Sequence, residues 1–355
     1  MVVRLRSAML ILTACGRLSF DVSFDGATND VPNRIFITDT LTAGNFGGVA
    51  FADQVCADEA RLASLTGTFI AFVSDATTSA RDRIEGSRGW VRVDGTPIGD
   101  TPASMFDSLA IFGTANQTAS GALLSGTSTW TGTDPRASPS ANCVGWISNS
   151  ASQDGDGNSV LNATFAGGNI QTCDLARRFV CLEVGHVATV VPRSVAGRIA
   201  FVSRMNRSTA INVTNADAIC ATEASTAGLP GMYKVALATT TTTIASRFTI
   251  DTRSWVRVDG TLIAAASDMF SGARDYDSVV NQHADGTYDN VAFWTGVSTA
   301  PDAASLLADT CVDWASVAAS NAGTRGVSAT ANRLEMWRNS SNACDSTFHF
   351  LCMEE

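Results

Sequence analysis

Charge is scarce in this sequence, and positive charge scarcer: Lys and Arg total 24 against 34 Asp and Glu, and charged residues make up 16% of 355. Binding to nucleic acid or heparin needs a concentrated positive field, so partners of that class are excluded beyond a small local patch. Histidine is rarer still. His186, His283 and His349 are far apart and form no HExxH, so no zinc-protease motif exists. The short Cys-x2-4-Cys spacing of a structural zinc site is also missing, the closest cysteines being eight residues apart. There is no G-x-S-x-G, P-loop or dinucleotide fingerprint, and no cofactor is implied. A serine hydrolase is still an open alternative, because a Ser-His-Asp set is recognised by geometry that a sequence hides.

The length allows two ordinary domains, and the abundance of Thr, Ser, Ala, Asn and Gly has the texture of extracellular β-rich domains. Residues 1–15 read as a targeting segment. Arg4 and Arg6 precede a short apolar run, Ala8 to Leu12, too brief to span a bilayer, and Leu12-Thr13-Ala14-Cys15 fits a bacterial lipobox with Cys15 as the lipidated residue. Residues 16–32, carrying Asp21, Asp25, Gly26, Asn29, Asp30 and Pro32, read as a flexible polar spacer. Cysteine parity agrees: there are nine, and setting Cys15 aside leaves Cys56, Cys143, Cys173 and Cys181, then Cys220, Cys311, Cys344 and Cys352. Even sets in an exported chain imply disulfides, although spacing alone leaves three pairings per set.

The two sets belong to an internal repeat, offset by about 164 residues, the distance from Cys56 to Cys220. Arg34-Ile35 falls on Arg198-Ile199. The run WVRVDGT at 90–96 recurs at 255–261, WTG at 130–132 recurs at 294–296, and Cys143-Val-Gly-Trp146 matches Cys311-Val-Asp-Trp314. Module 1 spans 33–183 and module 2 spans 197–355, joined by a Val-rich linker, 184–196.

Ala52, Cys56, Ala60 and Ala63 fall at helical spacing, so the first cysteine of each module lies on a helix; in module 2 Asn215 is the expected cap and Gly228 the stop. Strands are expected over Phe69–Val73 and Tyr233–Leu237, Trp90–Val93 and Trp255–Val258, and Phe179–Leu182 and Phe348–Met353, with a second short helix near Ala80–Ile84 and Ile244–Phe248. The fold class is α+β.

A cysteine-bearing helix, a Trp-x-Gly, a Cys-x-x-Trp and two closing cysteines eight apart resemble the C-type-lectin-like fold. The endostatin-like branch is the most similar, through Gly67-Thr68-Phe69-Ile70-Ala71-Phe72 and Trp130-Thr131-Gly132-Thr133-Asp134-Pro135, and so are the endostatin-like surface lipoproteins of bacteria. Module 2 departs at Gly231-Met232-Tyr233 and Val297-Ser298. The resemblance implies two tandem modules, each with a mixed, mainly antiparallel sheet, two helices and two nested bridges: Cys56 to Cys181 around Cys143 to Cys173, and Cys220 to Cys352 around Cys311 to Cys344.

Neither module carries the full calcium-ligating set of sugar-binding lectins; the nearest fragments are Ala300-Pro301-Asp302 and Trp337-Arg338-Asn339. Asp154-Gly-Asp156-Gly-Asn158 imitates an EF-hand start but has Phe165 where Glu belongs, so it reads as a polar turn. Six tryptophans recur in pairs, as shared core does, whereas Trp337 has no partner and reads as a surface contact. The segments Pro97–Thr129 and Leu262–Phe293 look divergent and are the expected ligand loops, with Tyr276, His283, Tyr288 and Trp337 as the binding candidates. Together these features describe a surface-anchored lipoprotein, membrane-bound only through lipid, that binds an extracellular protein or glycan and is not an enzyme. The alternatives are a structural envelope protein, which would present a self-associating surface, and the secreted hydrolase.

Overall fold

The structure, a computed structural model, describes residues 31–355. Cys15 and the targeting segment lie outside the described residues, as does the spacer up to residue 30.

The chain is mixed α+β and builds two eight-stranded sheets, one in each half. The first half contributes β1 (Asn33–Ile37), β2 (Thr68–Ala71), β3 (Trp90–Arg92), β4 (Pro97–Gly99), β5 (Ser128–Trp130), β6 (Asp154–Ser159), β7 (Asn169–Thr172) and β8 (Arg178–Val184). Their order is β4-β3-β1-β8-β5-β6-β7, with β2 also paired to β8. The second half repeats this with β9 (Arg198–Val202), β10 (Tyr233–Val235), β11 (Trp255–Val256), β12 (Leu262–Ala264), β13 (Ala292–Trp294), β14 (Ala322–Val327), β15 (Ser340–Ala343) and β16 (His349–Glu354). The first and last strands of each half meet antiparallel at the sheet centre, Phe36 opposite Cys181 and Phe201 opposite Cys352. Among the strand pairs of the described residues, β1–β3, β5–β8 and their counterparts run parallel and the rest antiparallel.

The cysteine-bearing helices form as the periodicity predicts, over Val49–Leu62 and Asn212–Thr226. Each buries two alanines around its cysteine, Ala52, Cys56 and Ala60 or Ala216, Cys220 and Ala224, and these small side chains let the helix close on the sheet. The helix starts earlier than Asn215, at Asn212, whose side chain accepts from the Asn215 amide at 2.9 Å. Gly228 does end it, at φ 73. The expected second helix shrinks to one 3-10 turn, Asp82–Ile84 or Ala245–Arg247. In the first module the backbone leaves the turn at Glu85, with ψ 141, and Gly86 follows at φ 85.

The four disulfides are those the resemblance implies: Cys56–Cys181, Cys143–Cys173, Cys220–Cys352 and Cys311–Cys344. Four such bridges place the chain in an oxidising compartment. No helix among the described residues is long and apolar enough to cross a membrane. At each inner bridge the backbone makes a left-handed turn. Cys143, Val144, Gly145 and Trp146 have φ of 50, 58, 70 and 64, and Cys311, Val312, Asp313 and Trp314 repeat it at 49, 58, 52 and 65. Each L-residue there costs about 1–2 kcal/mol. Offsetting it, the Asn142 and Thr310 side chains accept from the third residue of the turn, and Trp146 and Trp314 donate from Nε1 to the oxygens of Ser74 and Ala238.

The two halves share a core. One apolar cluster runs from Ile35, Ile111, Leu161 and Phe165 of the first to Tyr276, Val280, Met336 and Trp337 of the second. Main chain crosses between them: Ala163 donates to Ala329, Ala331 donates to Leu161, and Asn162 bridges Thr330. The linker is bound along its length as well, with the Arg88 amide on the His186 oxygen, the Val190 amide on Asp100, and Ser194 bridged to Thr261.

Candidate functional site

Apolar residues from both segments expected to be ligand loops join one buried cluster, Ile111 from the first with Tyr276, Val279 and Val280 from the second, and each Å² so removed from water is worth about 25 cal/mol. Three of the four binding candidates, Tyr276, His283 and Trp337, are buried, so Trp337 is not the surface contact expected of it. Trp337 is 1% exposed, and its Nε1 donates to the Tyr276 hydroxyl, which donates to the Met269 oxygen. Those two residues satisfy each other inside the core because an indole N–H and a phenol O–H cannot be buried unpaired. His283 is also buried, Nδ1 on the Val202 oxygen at 2.9 Å. Tyr288 is half-buried, its hydroxyl donating to Asp259 and its ring lying 5.3 Å from the Arg257 guanidinium. Of the four, only Tyr276 borders the cleft described next.

The Asp154–Asn158 segment is strand β6 rather than a turn. Asp156 accepts from the Gly168 and Asn169 amides, and Asn158 donates to the oxygens of Thr164 and Ala166. Among the described residues no group of His, Cys, Asp and Glu gathers as a metal site.

Where the halves meet, a cleft of about 540 Å³ is lined by Arg92, Asn116, Leu123 and Leu124 of the first and Asp275 and Ser278 of the second, among others. Arg92 and Thr96 of the repeated WVRVDGT run are part of its lining. Arg92 ends β3; beyond the Asp94-Gly95 turn its guanidinium folds back, donating to Asp94 from Nε and Nη2, to Thr96 from Nη2 and to Asn116 Oδ1 from Nη1 at 2.7 Å. Burial opposes the Asp94 charge, but the Arg92 hydrogen bonds and charge, helped by Thr96, outweigh it and hold the carboxyl below the ordinary aspartate value. Asp94 therefore holds the guanidinium in place while its own charge is offset. On the opposite wall Arg274 is fixed by Asp268 and Asp277, and Ser125 donates to Asp275 at 2.6 Å across the junction.

Module 2 builds the same arrangement from Arg257, Asp259, Thr261 and Asn281. The sequence does carry a signal for it: Asn116-Gln117-x-Ala119-x-Gly121 matches Asn281-Gln282-x-Ala284-x-Gly286, inside segments that otherwise look divergent. Gln117 and Gln282 each accept the amide of their own DG-turn aspartate, at 3.0 and 2.9 Å. The lines part at solvent access, since the Arg257 side chain is fully buried and that of Arg92 is 12% exposed, on the cleft.

No protein-family model matches this chain, and no curated protein matches it.

Proposed function

We propose that the chain is an exported recognition protein, a surface lipoprotein of two C-type-lectin-like, endostatin-like modules that binds an extracellular protein or glycan in the cleft between them. The cleft carries this reading: it is open, mixed in polarity and walled by both modules, and its polar groups are oriented by ion pairs before any ligand arrives. The lectin-like reading is supported by the nested bridges, the cysteine-bearing helices and the central pairing of first and last strands in each half. Cysteine parity and the lipobox-like site support anchoring through Cys15.

The test screens the full chain, in detergent, against immobilised extracellular proteins and glycans with and without EDTA. Saturable binding that survives EDTA and weakens about tenfold, or 1.4 kcal/mol, in Leu123→Glu is expected. No ligand at all, or a ligand indifferent to every cleft substitution, overturns the reading. For anchoring, Cys15→Ser should leave the membrane fraction; a variant that still sediments, beside a wild type without acyl mass, removes the lipid anchor.

A further inference from the structure

The two modules form the same arginine–asparagine arrangement, and in module 2 the structure displays what fills it. Arg257 Nη1 donates to Asn281 Oδ1 at 3.1 Å and also to the main-chain oxygen of Ile111 at 2.8 Å, from the other module. Asn281 Nδ2 donates to the Leu109 oxygen at 3.3 Å. The filler is a tight peptide turn, closed by the Ile111 amide on the Leu109 oxygen, that offers two carbonyls and buries the Ile111 side chain.

The reciprocal contact is not made. By position Tyr276 corresponds to Ile111: the Phe112 amide meets the Ile98 oxygen as the Asp277 amide meets that of Ile263. Tyr276 is tied to its own module, its amide on the Ala331 oxygen and its hydroxyl on Met269, so it does not reach Arg92. Arg92 Nη1 donates to Asn116, and the place that Ile111 occupies at Arg257 is here part of the cleft. Tyr288, whose ring lies by Arg257, is replaced at the matching position by Leu123, which is 65% exposed at the cleft.

We infer that the Arg92–Asn116 pair binds the main chain of a protein loop, a tight turn presenting two carbonyls with an apolar side chain between cleft walls, as Leu109 to Ile111 does at Arg257–Asn281. This rests on the recognition reading above and names its ligand as peptide. A guanidinium already fixed by a carboxylate loses little freedom when it takes a further acceptor, which favours affinity from few contacts.

The probe is the capped peptide of residues 107–113, Asp-Ser-Leu-Ala-Ile-Phe-Gly, titrated into the full chain while the Asn116 side-chain amide is followed by NMR. Saturable shifts with a Kd of about 1 mM are expected, weakened about tenfold in Asn116→Ala and in Leu123→Glu. Because Leu123 is exposed, the second variant keeps its fold where the first loses stability. A chitin oligosaccharide, whose acetamido carbonyls offer similar acceptors, is titrated in parallel. If the sugar moves Asn116 and the peptide does not, or if neither does, the inference is overturned. A ligand from the screen that binds elsewhere in the cleft would then leave the recognition reading intact, whereas no ligand in either experiment removes both.

Discussion

Arg257 donates a 2.8 Å hydrogen bond to the main-chain oxygen of Ile111, 146 residues away and in the other module, from a side chain with no solvent exposure. A buried cation therefore ties the two halves. Arg257→Met should leave Asp259, Asn281 and the Ile111 oxygen short of partners and cost about 3–5 kcal/mol, against a single unfolding transition in the wild type. Urea denaturation followed by tryptophan fluorescence checks this, and a loss below about 1 kcal/mol would show that the inter-module contact contributes nothing.

Val144 and Val312 are β-branched residues held at φ 58, and both are more than a third exposed. Glycine adopts that conformation without strain, so Val144→Gly and Val312→Gly should each stabilise the protein by about 1 kcal/mol despite the greater freedom of the unfolded chain. A rise in Tm in both variants is the expected result; a fall in both would mean that the side chains pack better than their exposure suggests.

The outer bridge of module 1 closes 125 residues and the inner one 30. In the chain-entropy account, removing Cys56–Cys181 by paired serine substitution costs about 5 kcal/mol and removing Cys143–Cys173 about 3.5 kcal/mol. Denaturant midpoints of the two double variants give the order. If the inner pair proves the costlier, the left-handed turn at Cys143 depends on its bridge beyond loop closure.

Burial lowers the His349 pKa from 6.5, against the hydrogen bond to the Ser203 oxygen and with help from nearby His283. The unfolded chain therefore takes up the proton first as pH falls. The stability that neutral His349 contributes is complete above 6.5 and is lost progressively below it, until the folded group itself titrates. His349→Gln should flatten the fall in stability as pH drops below about 6.5, measured by urea midpoints. An unchanged slope would assign the acid sensitivity to other groups.

The sequence by itself determined the duplication, the α+β class, three of the eight strands in each half and the cysteine helices to within a few residues, and the core of paired tryptophans. These follow from local periodicity and from residues repeated because each copy must fill the same volume. It also showed, through Asn116-Gln117 and Asn281-Gln282, that the inter-element segments were not wholly free to drift. The pairing of cysteines came only through resemblance, since spacing allows three solutions. Tertiary structure decided where Tyr276, His283 and Trp337 lie. An aromatic ring among charged neighbours reads as a contact surface along the chain, but whether it meets solvent depends on partners far along the chain, 61 residues for Trp337 and Tyr276 and 81 for His283 and Val202, which no local pattern encodes. The same holds for Arg92 and Arg257, identical in their own run of seven residues: one is buried and the other borders a cleft because Ile111 reaches across the junction and Tyr276 does not.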